Sequence, residues 1–103
     1  MASIHLVERL NNVHRLTVDP PVWESGYWVI AEETAARLVG ADLYLHSGQL
    51  VASHFGGRIL GYRVHNDGTE LDGRVVFRIQ PSLEHKGVST GREGWGNEKK
   101  LVW

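Results

Sequence analysis

The sequence predicts a mainly β, α+β domain: a small curved barrel of about five or six strands with one well-defined helix. Three observations lead there. The segments ADLYLH, GRILGYRV and RVVFRIQ alternate polar and apolar residues with the period of two that half-buried strands require. Only AEETAARLVG carries convincing helical spacing. One helix cannot supply the crossovers of a doubly wound parallel sheet, so closing a curved sheet is the economical way to hide its edges.

The elements follow in order. SIHLVERLNNVHRLTV fits a short strand or a helix, and its periodicity does not separate the two. Asp19, Pro20 and Pro21 end it, because proline lacks a backbone donor and restricts the residue before it. GYWVI is aromatic and β-branched, as a buried strand should be. In AEETAARLVG, Thr34, Ala35, Leu38 and Val39 occupy helical spacing, acids sit in the first turn and Gly40 stands at the C-cap, giving a helix of about ten residues. ADLYLH sets Leu43 and Leu45 against Asp42, Tyr44 and His46, and Ser47 and Gly48 make a turn. GRILGYRV and RVVFRIQ flank HNDGTELDG, whose two Asp-Gly pairs read as a hairpin connection. KGVSTGREGWGNEKK is a glycine-rich, charged loop before a last short strand, KLVW.

The 103 residues fit one domain, 1–103, which at this size buries about 65% of its extended-chain surface. Hydrophobic residues at 42% and charged residues at 22% match a folded globular chain and exclude a disordered one. No apolar run reaches membrane-spanning length and no secretory signal core is present, so a cytoplasmic location without membrane association is expected. Without cysteine there is no disulfide framework and no thiolate metal site. A net charge of -1 excludes a wholesale basic coat, yet eight arginines against three lysines, with Arg58, Arg63, Arg74 and Arg78 in the strand-rich half, leave room for a basic groove.

Gly40, Asp42, Leu43 and Tyr44, followed by the glycine-led strand with Gly57, Ile59, Gly61 and Val64, resemble the PUA-like superfamily, which includes the EVE, ASCH and YTH domains. The resemblance covers roughly residues 26 to 80. It implies a compact barrel that binds RNA or DNA and holds a modified or flipped base in an aromatic pocket at the barrel mouth. The chemistry is sound on its own terms: an unstacked base offers two π faces to aromatic rings and arginine planes, while backbone groups read its edge. The expected roles are stacking by Trp23, Tyr27 and Trp95, edge contacts by Ser53 and His54, backbone approach at Gly56 and Gly57, and phosphate contact by Arg58 and Arg92. Paired glycines at a strand start also serve a bend or bulge on geometry alone.

Other chemistries are weaker. The six histidines lack metal-ligand spacing and read as polar surface residues, so no metal or other cofactor is expected. Asp72 followed by Glu84, His85 and Lys86 has the minimal pattern of a metal-dependent nuclease, although both acids fall outside strands. The ASCH resemblance implies a small hydrolase as a further alternative. Ser53 beside His54 is no triad, because adjacent strand residues point to opposite faces. No catalytic residue is assigned. A protein-interaction module is the remaining alternative, and it would expose an apolar patch.

Overall fold

Ile4 and Leu6, Leu43 and Leu45, and Val75, Phe77 and Ile79 stand two residues apart and are fully buried. That spacing makes each segment a strand with one face turned to a common core. In the computed structural model, which describes residues 2–103, the strands are β1 (Ser3–Val7), β2 (Val13–Thr17), β3 (Val22–Trp28), β4 (Asp42–His46), β5 (Phe55–Val64), β6 (Val75–Pro81), β7 (Trp95–Gly96) and β8 (Lys99–Val102). The undecided first segment therefore resolves into two strands. A helix, α1 (Glu32–Arg37), links β3 to β4, and a single 3-10 turn, Leu83–His85, follows β6.

The eight strands form one mixed sheet in the order β2-β3-β6-β5-β4-β1-β8-β7. β1 runs parallel to β4 and antiparallel to β8, and the other pairings are antiparallel. This corrects the expected closed barrel of five or six strands. The sheet curls far enough that Lys99 Nζ of β8 donates to the Val29 carbonyl just past β3, at 3.0 Å, yet β2 and β7 do not pair with each other. The ends explain why. β7 has only two residues, both paired with β8, and every residue of β2 after Val13 is exposed, so no apolar face drives it across the gap.

The helix is corrected as well: it spans six residues, not ten. Ala31 at its N-cap offers no side-chain oxygen to the free amides of the first turn. At the other end Gly40, with φ at 89°, gives its N–H to the Ile59 carbonyl of β5 at 2.8 Å, which carries the chain out of the helix. Ala35 and Leu38 close the core, while Val39, expected on the same face, is exposed.

Residues paired across the sheet point the same way, so the register divides its two faces. The core face carries the apolar cluster of β1, β3, β4, β5 and β6. On the outer face, Asp42, Tyr44 and His46 of β4, His5 of β1, Lys100 of β8 and Trp95 of β7 lie side by side. Among the described residues, no helix is long and apolar enough to cross a membrane.

Candidate functional site

Where the curled sheet fails to close, its core face is left open. Trp23 of β3 faces this opening, with Arg15 of β2 opposite it in register and Phe55 of β5 edge-on to its ring at 5.2 Å. Glu8, Arg9, His54 and neighbouring residues complete a hollow of about 340 Å³ around Trp23 and Phe55. Glu8 and Arg9 also line a second hollow, of about 990 Å³, bounded by Tyr27, Trp28, Arg74 and Lys99. Arg74 and Lys99 in turn continue into a third, of about 400 Å³, that reaches Asp72. Shared lining residues join the three into one furrow, aromatic at Trp23, Phe55, Tyr27 and Trp28 and cationic at Arg9, Arg74 and Lys99.

Three acids, Glu8, Glu98 and Asp72, stand against the cations Arg9, Arg74 and Lys99 of the furrow. Glu98 approaches Arg9 at 3.8 Å, while Arg9 Nε donates to the Ser47 carbonyl at 3.3 Å. Glu8 is buried, and its Oε1 accepts the Asn12 N–H at 2.5 Å. Burial pushes the Glu8 carboxyl above its ordinary pKa, the Asn12 bond pulls the other way, and the nearby Glu98 charge adds to the rise. Burial, then the proximity of His46, lowers the His54 imidazole.

The outer face holds a second polar constellation. His5 Nδ1 meets His46 Nε2 at 2.9 Å, and His46 Nδ1 bonds to the Val51 carbonyl at 2.8 Å. A carbonyl only accepts, so His46 donates from Nδ1 and in the neutral pair accepts from His5 through Nε2. Tyr44 stacks on His5 at 4.7 Å and contacts His85 at 5.0 Å, while Trp95 stands edge-on to both His5 and His46. His85 Nε2 donates to Asp42 Oδ1 at 3.0 Å. This corrects the expectation of surface histidines for three of the six, since His46 is fully buried and His5 and His85 nearly so, while His14 and His54 are exposed. Trp95 Nε1 and His85 Nδ1 are buried without a partner among the described residues.

The expected site residues divide between these places. Trp23, Tyr27 and His54 line the furrow, with Tyr27 edge-on to His65 at 4.6 Å. Trp95 faces the outer constellation instead. Ser53 is buried, where its hydroxyl donates to the His85 carbonyl at 2.6 Å and accepts the Val88 N–H at 3.0 Å, so both of its capacities hold the chain after β6. A Cβ on Gly56 would fall 2.2 Å from the Leu43 carbonyl oxygen, and one on Gly57 2.2 Å from that of Gln80. The close backbone approach is thus between neighbouring strands. Arg58 lies on the outer face, opposite Asp42 and Gln80, and Arg92 is exposed ahead of β7.

The nuclease alternative loses its geometry. Asp72 lies before β6 and Glu84 after it, separated by seven strand residues, or about 23 Å at the usual rise. The Asp72 carboxylate accepts the N–H groups of Asp67 and Gly68 and so holds its own loop. Among the described residues, no three metal-ligating side chains converge.

Arg74, one of the arginines expected to leave room for a basic groove, lines two of the hollows, whereas Glu8, Arg9 and Lys99 in the furrow and Arg15 opposite Trp23 were not singled out by the sequence. Their common signal is pairing: Arg15 meets Trp23 only through the β2–β3 register, and Lys99 meets Leu6 only through the β1–β8 register. No protein-family model matches the chain, and no curated protein or solved structure gives a significant match.

Proposed function

We propose that this chain is a nucleic-acid-binding module whose furrow takes an unpaired strand, with one base against Trp23 and the backbone phosphates near Arg9, Arg15, Arg74 and Lys99. The observation that carries the reading is that adjoining hollows bring the aromatic side chains of Trp23, Phe55, Tyr27 and Trp28 together with the cations Arg9, Arg74 and Lys99. Stacking on an aromatic ring tolerates any base, and guanidinium groups suit phosphate geometry. The resemblance of residues 26 to 80 to PUA-like domains points to the same ligand class. A flipped or modified base and a cytoplasmic setting belong to this proposal.

Fluorescence titration with short single-stranded and duplex oligonucleotides tests it, since the chain has four tryptophans. Saturable quenching by single strands that weakens with salt is expected, and Trp23→Ala should cost about 1 to 3 kcal/mol of binding while remaining folded. No response across the panel, or an affinity unchanged by Trp23→Ala, overturns the reading.

One observation favours a second reading, a protein-interaction module. β2 leaves one edge unpaired, and Leu10, Leu16 and Val18 around it are exposed, a combination that receives an extended partner strand. Self-association or peptide binding abolished by Leu16→Lys, with no nucleic-acid binding, would favour it.

A further inference from the structure

We propose that Glu8 reads the edge of the bound base, accepting a hydrogen bond from an exocyclic amino group of the kind cytosine and adenine carry. The proposal rests on the nucleic-acid reading of the furrow and narrows its ligand.

Glu8 has one carboxylate oxygen that no donor among the described residues fills. Glu8 is only 8% exposed and lines both the Trp23 hollow and the larger one beside it. Its Oε1 is occupied by the Asn12 N–H. Among the described residues, Oε2 has no hydrogen-bond partner, and no cationic side chain lies within ion-pair distance of the carboxylate. The buried side-chain atoms left without a partner among the described residues are His85 Nδ1 and Trp95 Nε1, not Glu8 Oε2, so Oε2 opens onto the hollow, where a bound donor takes the place of water. Burial and the Glu98 charge raise the pKa of the group.

The missing donor has a defined setting. Trp23 and Phe55 wall the same hollow, so a flat ring resting on Trp23 presents its edge, not its face, to the side walls. An amino group on that edge supplies the N–H that Oε2 lacks, as carboxylates do when they accept from the cytosine amino group. Uracil places a carbonyl there, setting acceptor against acceptor. Cytosine, adenine and guanine all carry such an amino group, and uracil carries none.

The test compares short oligocytidylate, oligoadenylate and oligouridylate on the full chain, by the same fluorescence titration. The expected result is binding of the cytidine or adenine oligomer about 10-fold tighter than the uridine oligomer, and the tighter of the two identifies the base. Glu8→Gln keeps an oxygen for the Asn12 N–H but turns an amide NH₂ donor toward the ligand, so the preference should vanish or reverse toward uridine. Thermal melting by circular dichroism establishes that the variant is folded. If it is not, oligomers of N4,N4-dimethylcytosine, which cannot donate, replace it and must bind about 10-fold more weakly than oligocytidylate to the wild-type chain. Binding without base preference, or a preference unchanged in folded Glu8→Gln, overturns the role of Glu8 and leaves the nucleic-acid reading standing. No binding of any oligomer overturns both.

Discussion

At the scale of single residues, His5 carries the clearest consequence. Burial, then the facing His46 and Lys100, lowers its pKa from 6.5 to about 4. The unfolded chain therefore binds a proton that the folded chain refuses between about pH 4 and 6.5. Stability is highest above that window and falls as pH drops through it, by about 3 kcal/mol at roughly 1.4 kcal/mol per pKa unit. Glu8 works in the opposite sense, since a raised carboxyl pKa favours the folded state at acid pH and loses that advantage as pH rises. Urea midpoints measured at about pH 7 and about pH 4.5 should separate strongly for the wild-type chain, and much less for His5→Gln. An equal separation in both would place the acid sensitivity elsewhere. None of this was legible in the sequence. His5 becomes a buried residue because parallel pairing sets it beside Tyr44 while antiparallel pairing sets it beside Lys100, and neither partner is near it in the chain.

At the scale of elements, the glycine pair at the start of β5 separates geometry from ligand binding. Gly57→Ala drives a Cβ to 2.2 Å from a backbone oxygen that cannot move without breaking the β5–β6 ladder. It should cost at least about 1 to 3 kcal/mol in thermal or denaturant melts. Gly61→Ala in the same strand meets nothing within 4 Å and should change stability by less than about 1 kcal/mol. Similar melts for the two variants would remove the steric account. The elements themselves were unevenly legible. β4, β5 and β6 announced themselves because each buries one face, and the period of two is the direct imprint of that burial. β2 left no such imprint, being exposed on both faces. The helix was legible in kind but not in length, because a carbonyl of β5 ends it.

At the scale of the whole molecule, a side chain bridges the gap that the backbone leaves open. Lys99→Met removes the bond to the Val29 carbonyl. Stability should fall by about 1 kcal/mol, amide exchange should quicken around residues 29 to 31, and the salt dependence of oligonucleotide binding should shrink by about one phosphate's worth. A salt slope equal to that of wild type would remove Lys99 from the phosphate path. The furrow could be anticipated in its ingredients, since Trp23, Tyr27 and His54 were recognisable as candidates, but not in its position, which exists only because β2 and β7 stay apart. The pairing of β1 between β4 and β8 also imposes an order of events on synthesis. During synthesis β1 acquires one neighbour only after β4 has emerged, and the other only with β8. Until then Ile4 and Leu6 wait without their partner strands, so the core cannot be finished piecemeal and the chain must condense late, as a unit, with the slow kinetics of a fold dominated by distant contacts.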